Sequence, residues 1–462
     1  MIRFEHVNFQ YAGSETGVTD ICLHVRKGEC VVLTGPSGNG KTTLIRLVNG
    51  LVPAFYAGQF SGCIQIDGKD RSGEPLWKRG KTVGSVFQDP GSQFFSSEMP
   101  GEVAFSCENY GFPHEKIVLQ TDAAIRRFHL EHLRSRPLDV LSSGEKQRTA
   151  VASVYAMNPP IYVCDEPTAN LDGKGIEELR EVLQSLKQEG CTLLIAEHRL
   201  SWLMDLADRF VYIRDGATQW ERTSEQMRRL SPENLEQLEL RAVQRHGVSR
   251  LSSPVGMSTP ILSLQGLSCR RGNHVIWEGL NLAVWVGQVI AITGHNGAGK
   301  TTLAKIVAGL ERPSKGGIFL HGRKASPAQR RKCCWYSSND TGTQFFTNSV
   351  TEELLLGVSR TEERLEKARN LLKRFGLYPY KDAHPAVLSG GQKQRLSIAC
   401  GLLSGREILL LDEPTSGLDG GNMRKIASSL AEAAAEGKTI LVITHDEELI
   451  EACCDFRWEL NG

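Results

Sequence analysis

Two α/β domains in tandem, each built on a phosphate-binding loop, are the fold that the sequence predicts. Three observations carry the prediction. "GPSGNGKTT" from Gly35 to Thr43 returns as "GHNGAGKTT" from Gly294 to Thr302. "IYVCDEPTANLD", ending at Asp172, returns as "ILLLDEPTSGLD", ending at Asp419. The spacing between such landmarks is nearly the same in both halves, which means one fold used twice.

Along the chain, "MIRFEHVNFQ" opens as an alternating strand, so no signal peptide is expected. "ECVVLT" is β-rich, and the segment after the loop places Leu44, Ile45, Leu47, Val48 and Leu51 at helical spacing. Strand, G-x-x-x-x-G-K-[ST], helix is the context in which such a loop holds phosphate. In the first copy the loop is Gly35, Pro36, Ser37, Gly38, Asn39, Gly40, Lys41, Thr42 and Thr43. In the second it is Gly294, His295, Asn296, Gly297, Ala298, Gly299, Lys300, Thr301 and Thr302. The glycines let backbone N–H groups turn inward at a helix N-terminus. Lys41 and Lys300 reach the β- and γ-phosphates, and the Thr42 and Thr301 hydroxyls suit Mg²⁺. A single glycine-rich turn would read this way by chance; two in the same context do not.

"IYVCDEP" and "ILLLDEP" are apolar runs ending in two carboxylates, as buried parallel strands do. Asp165 and Asp412 are placed to hold Mg²⁺ through water. Glu166 and Glu413 are placed to orient or deprotonate an attacking water. His198 follows "CTLLIAE" and His445 follows "KTILVIT", and each is expected to hydrogen-bond a γ-phosphate. A histidine at a strand end is usually a satisfied surface residue, but two at one offset from the carboxylates favour the functional reading.

The shift between copies is 259 residues at Lys41 and Lys300, 251 at Gln93 and Gln344, and 247 at Ser142/Ser389, Asp165/Asp412 and His198/His445. The first copy therefore holds 12 extra residues between the lysine and the serine, of which eight precede Gln93. They are expected in or near "LVPAFYAGQFSG". "GVSRLSSPVGMSTP" reads as a linker. The expected layout is a first domain over 1–240, a linker over 241–259 and a second domain over 260–462.

Composition bounds the rest. The 462 residues suit several domains, and a formal net charge of +1 gives no field that would draw nucleic acid. Hydrophobic content of 40% and aromatic content of 7% suit a folded protein. The 12 cysteines are scattered without a C-x-x-C, so free buried thiols are expected. No run approaches about 18 apolar residues, so any membrane-spanning part must come from another chain.

"LSSGEKQR" from Leu141 and "LSGGQKQR" from Leu388 complete the set. With them the chain resembles the ATP-binding cassette (ABC) ATPases over nearly its whole length, the linker excepted. The resemblance implies a P-loop core, a small antiparallel β subdomain and a helical signature subdomain in each domain. It implies that Ser142, Ser143 and Gly144, and Ser389, Gly390 and Gly391, close over ATP held by the opposite cassette, with Asp172 and Asp419 as the D-loop residues. Gln88, and Asn339 in its place, would border Mg²⁺, the attacking water and the groove where a membrane subunit docks. "FQDPGSQFF" looks like the energy-coupling-factor (ECF) group, whose ATPases power vitamin and metal-ion uptake. That implies a transmembrane coupling subunit, a small substrate-binding membrane protein, and a peripheral place on the cytoplasmic face of the membrane. Rival readings are a tandem ATPase of a sugar or nucleoside importer and a ribosome-associated tandem ABC protein; a kinase fails on the two signatures.

Sorted by the composite sites that the resemblance implies, the departures fall together. The site with Lys41, Gln88, Glu166 and His198, closed by "LSGGQ", keeps the pattern, and Tyr11 can stack on adenine. The site with Lys300, Glu413 and His445, closed by "LSSGE", has Arg270 or Arg271 where an aromatic is expected. It also has Asn339 for Gln, Ser143 for Gly and Glu145 for Gln. An acid near a γ-phosphate is unhelpful unless it points away. Unequal sites are expected, the first turning over faster.

Overall fold

In the computed structural model, residues 1–14, 16–169, 171–244, 259–272, 274–339 and 344–460 are described. The chain divides into two compact units at Arg245/His246, with Asp419–Gly421 grouped with the first. Most of the expected linker lies outside the described residues. Among the described residues no helix is long and apolar enough to cross a membrane.

The first unit has two sheets. One is antiparallel in the order β2-β1-β4-β5, from β1 (Ile2–Tyr11), β2 (Gly17–Val25), β4 (Gly58–Ile66) and β5 (Lys69–Asp70). The other runs β10-β9-β3-β8-β7-β6, from β3 (Cys30–Thr34), β6 (Val83–Val86), β7 (Ile161–Asp165), β8 (Thr192–Ala196), β9 (Arg209–Arg214) and β10 (Ala217–Thr223). Its strands pair parallel except β10 on β9. Every residue of β3 and β8 is buried, which is why these strands read as unbroken apolar runs. The helix Lys41–Asn49 sends Leu44, Ile45, Leu47 and Val48 into a core shared with the antiparallel sheet. On the other face, the helices Met99–Asn109, His114–Arg127 and Ser143–Tyr155 contribute to a second core.

The second unit repeats this plan. Its antiparallel sheet runs β12-β11-β14-β15, from β11 (Leu262–Arg271), β12 (His274–Val284), β14 (Lys315–Leu320) and β15 (Arg323–Lys324). Its parallel sheet runs β16-β17-β18-β13-β19, from β13 (Val289–Thr293), β16 (Cys334–Ser337), β17 (Ile408–Asp412), β18 (Thr439–Ile443) and β19 (Phe456–Glu459).

The two copies locate the length difference. Gly50 and Gly309, both at positive φ, still match at a shift of 259, whereas Ile66 and Leu320 match at 254. Arg79 and Arg330 match at 251, since each buries its guanidinium against carbonyls at the end of its P-loop helix. Five of the eight residues thus lie where expected, between Gly50 and Ile66. The other three fall later, beside the turn Arg71–Pro75. The thiols also divide differently from expectation: most cysteines are buried, but Cys22 is exposed.

Candidate functional site

Each loop from strand to helix ends at a left-handed glycine, Gly40 (φ 98°) or Gly299 (φ 86°), and no side chain caps the helix that follows. A Cβ on Gly40 would sit 2.5 Å from Val18 Cγ1, so only glycine fits. The first-turn N–H groups are left for a ligand. Lys41 Nζ donates to the carbonyls of Gly35 (2.9 Å) and Pro36 (2.8 Å); Lys300 Nζ donates to Gly294 (2.6 Å) and His295 (2.9 Å). Burial pulls the Lys41 ammonium below its ordinary value, while Glu166 opposes that. A buried cation beside inward N–H groups calls for an anion. Asn39 braces the first loop, donating to Pro36 and Ser37 carbonyls at 3.3 and 3.2 Å.

Strand ends bring the carboxylates to these loops. Thr42 Oγ1 donates to Asp165 Oδ1 at 3.0 Å, and Thr301 Oγ1 to Asp412 Oδ2 at 2.8 Å. Burial, helped by Glu166, pushes Asp165 up to about 6; burial also raises Asp412. A hydroxyl and a carboxylate are the hard oxygen donors that Mg²⁺ takes. Glu166 (φ 44°) and Glu413 (φ 49°) both adopt the left-handed conformation that glutamate avoids. Their N–H groups stay tied to the neighbouring strand, at Ala196 O (2.8 Å) and Ile443 O (2.9 Å). Strain repeated at one position in both copies marks a functional turn.

Around Glu166 the expected group assembles. Gln88 Nε2 donates to Glu166 Oε2 at 3.0 Å, and His198 Nε2 lies 3.4 Å from Glu166 Oε1 and 3.4 Å from Ser37 Oγ. In the second domain His445 Nε2 is 3.8 Å from Glu413 Oε1, Thr444 Oγ1 donates to Glu413 Oε2 at 3.4 Å, and Asn339 is exposed. Tyr11 donates or accepts through its hydroxyl at Thr43 Oγ1 (3.2 Å), while Arg46 donates to it at 3.3 Å. Register from Ile2/Ile66 and Leu262/Leu320 makes Arg271 its counterpart, paired with Glu311 at 3.5 Å; Arg270 pairs with Glu278 at 2.8 Å.

The signature helices each start with a capping box. Ser142 and Ser389 are the N-caps, Ser143, Gly144, Gly390 and Gly391 form the first turns. Glu145 Oε2 accepts from both the Ser142 N–H and the Ser142 hydroxyl, each at 2.8 Å. Burial raises Glu145, but these two donors, together with the charges of Arg136 and Arg148, outweigh it and hold the carboxyl below its ordinary value. The acid thus turns back onto its own cap. Asp172 caps the helix Gly173–Gln188 through Gly175 N (2.8 Å), and Asp419 is buried just before the helix Gly420–Ala435.

Three sets of residues escaped the sequence reading. Tyr336 donates its hydroxyl to Asp412 Oδ2 at 3.2 Å; Ser85 stands at the matching place in the first domain and accepts instead from Asn49. Thr168 donates to buried Glu197 at 2.5 Å, and Thr415 to Asp446 at 2.6 Å. The carboxylate comes from just before His198 in one copy and just after His445 in the other. Glu102 and Glu353 each accept two backbone N–H groups, from Phe95 and Ser96 and from Phe346 and Thr347, at 2.8 to 2.9 Å. With Gln93 accepting from Phe87 N (3.3 Å) and Gln344 from Ser338 N (3.4 Å), they give the recurring Gln and Glu the same bracing role in both copies. The bracing shapes a loop that leaves Phe95 75% and Phe346 81% exposed. The recurrence of Glu nine residues after each Gln was the available signal.

The profile of the ABC transporter family matches residues 18–169 and 277–416, taking in both loops and both carboxylate pairs. The chain belongs to the ABC transporter family. ATP-binding domains of this family hydrolyse ATP, so this tandem ABC chain is an ATPase. A Treponema denticola protein provisionally named an ABC transporter ATP-binding protein is 37% identical over 100% of this chain and 96% of its own length. YkoD of Bacillus subtilis, provisionally named an HMP/thiamine import ATP-binding protein, is 33% identical over 98% of this chain and 89% of its own. A structure described as ribosome-bound archaeal Pelota and ABCE1 superposes with a TM-score of 0.71 at 24% identity, covering 98% of this chain and 76% of that one; it shares the fold.

Proposed function

We propose that this ABC ATPase powers an importer of the energy-coupling-factor type, taking up a vitamin or a metal ion. It acts at the cytoplasmic face of the membrane as a peripheral subunit, on a transmembrane coupling subunit that is joined to a small substrate-binding membrane protein. The observation that carries the reading is the pair of braced loops ending in exposed Phe95 and Phe346, beside Gln88 and Asn339. Anchored backbone with an unburied aromatic is a ready docking element. A groove lined by Leu310, Trp335, Phe345 and Phe346 adjoins the second loop. The importer name of the 33% identical relative supports the direction of transport.

Domains over 1–240 and 260–462, joined by a linker over 241–259, each hold one ATP in this reading. The signature helix of each completes the site of the other. Thr42 and Asp165, and likewise Thr301 and Asp412, would hold Mg²⁺, which would supply positive charge against the phosphates. Glu166 accepts the proton of the attacking water that Gln88 helps to orient, and His198 holds the γ-phosphate. Affinity purification of the tagged chain from detergent-solubilised membranes tests the reading. Co-purification of a transmembrane coupling protein and a small membrane protein is the expected result, with the bound ligand naming the cargo. Recovery with ribosomes, or alone in the soluble fraction, would sink it.

The second site carries a local prediction. Tyr336 holds Asp412 Oδ2, the oxygen that Thr301 also holds. Removing that hydroxyl frees a lone pair for the cation. Tyr336→Phe in a Glu166→Gln background is expected to raise residual turnover several-fold, read as steady-state phosphate release. An unchanged rate would make Tyr336 a packing residue only.

A further inference from the structure

We propose that the first domain carries a surface site for a borderline-soft divalent cation such as Zn²⁺, with His6, Asp20 and Cys22 as its protein ligands. The three donor atoms all lie within 4.8 Å of one another. His6 Nδ1 is 2.7 Å from Asp20 Oδ1, and Cys22 Sγ is 3.6 Å from His6 Nδ1. A tetrahedral zinc centre with ordinary bond lengths separates nitrogen from sulfur by about 3.5 Å and nitrogen from oxygen by about 3.4 Å. The His–Cys pair already stands at that spacing. The His–Asp pair needs to open by about 0.7 Å to reach it. Both side chains are mostly exposed, at 79% and 68%, and are free to do so. Nitrogen, oxygen and thiolate sulfur together suit Zn²⁺ and exclude Mg²⁺ or Ca²⁺ as the preferred occupant. The remaining coordination position faces solvent.

The second domain supplies an internal control. In both antiparallel sheets the first two strands pair with a bulge, between Phe4/Leu23 and Val7/Ile21 in one and between Leu264/Leu282 and Leu267/Leu280 in the other. Counted from these pairs, His6, Asp20 and Cys22 correspond to Gly266, Gly279 and Asn281. The backbone is left-handed at both glycines (φ 56° and 68°) and equally at His6 (φ 49°) and Asp20 (φ 48°). The fold therefore asks for glycine at these two places, and the first domain departs from it twice. Asn281 braces its bulge, accepting from Gly266 N at 2.9 Å and donating to Gly279 O at 2.8 Å. In the first domain Asn8 does this instead, donating to His6 O at 2.9 Å and accepting from Asp20 N at 2.8 Å. The side chains of His6, Asp20 and Cys22 are thus not required to brace the bulge, yet they converge. Cys22 is also the exposed thiol of a chain whose other cysteines are buried or half-buried.

Cobalt titration of the full-length chain, free of nucleotide and Mg²⁺, tests the site. The expected result is one equivalent of a near-ultraviolet thiolate-to-cobalt charge-transfer band, displaced by Zn²⁺. Cys22→Asn should abolish the band. His6→Gly and Asp20→Gly should each weaken Co²⁺ binding by about tenfold or more. These three changes install what the second domain carries in the same backbone conformation, so folding is preserved. A wild-type chain without the band overturns the proposal. So does a band that survives Cys22→Asn, or an affinity unmoved by both glycine variants.

Discussion

Glu166→Gln is expected to lower steady-state ATP turnover by about a hundredfold or more, and Glu413→Gln by less than about tenfold. Both glutamates sit in the same strained turn, so geometry at the backbone does not separate them. Their surroundings do. Glu166 receives the amide of Gln88 at 3.0 Å with His198 at 3.4 Å; Glu413 receives the Thr444 hydroxyl at 3.4 Å, its histidine stands at 3.8 Å, and the shorter Asn339 replaces the glutamine. Asp412 is shared between Thr301 and Tyr336, whereas among the described residues Asp165 receives the hydroxyl of Thr42. A water held by two partners is oriented for attack; one held loosely loses much of that benefit. Comparing the two variants by phosphate release decides the matter, and equal losses would make the drift neutral.

Glu145 refines that argument. Its charge alone suggested repulsion of a γ-phosphate, but its carboxylate is turned onto the Ser142 N–H and hydroxyl. In the proposed arrangement the cost is then different in kind. The Ser142 proton is engaged by Glu145, so the hydroxyl meets a phosphate oxygen only after that bond is broken. Ser389 forms its box with the neutral amide of Gln392.

Legibility in the sequence followed contiguity. The phosphate loops, the carboxylate pairs and the signature helices are each specified within about a dozen consecutive residues, because a single turn or strand end does the chemistry. The capping box of Ser142 and Glu145 is just as local, yet the sequence reading of Glu145 rests only on its charge; the structure shows the box. Tyr336 was not legible, because its role depends on β16 lying beside β17, which brings residue 336 to residue 412. The Thr168–Glu197 and Thr415–Asp446 bonds were hidden for another reason. They do the same task from sequence positions that do not match, so comparing the copies line by line erases them. The three extra residues beside Arg71–Pro75 became visible only once buried Arg79 and Arg330 could be matched through their carbonyl partners.

Asp165→Asn should stabilise the chain when nucleotide and divalent cation are absent. Burial raises the Asp165 carboxyl from 3.8 to about 6. A carboxyl whose pKa is higher in the folded state favours folding while it is protonated. That contribution is fully present below the unfolded value and is lost as pH rises through the folded one. Above about pH 6 the native state therefore bears a penalty on the order of 2–3 kcal/mol for holding this charge. Asparagine keeps the shape and an oxygen for Thr42 to donate to, without the charge. The first unfolding transition at pH 7.5 is expected to rise by roughly 5–10 °C in the variant. As the pH falls well below the unfolded value of 3.8 the two proteins should converge, since the carboxyl is then neutral in both the folded and the unfolded state. Glu197, raised by burial in the same core, acts in the same direction in both proteins and cancels from the comparison. Addition of ATP and Mg²⁺ should reverse the order, stabilising the wild type more than the variant, because the charge is then paired. A variant no more stable than wild type at pH 7.5, or a gap that does not narrow as the pH falls from 7.5 to 4, would show that Asp165 is satisfied as an anion without nucleotide.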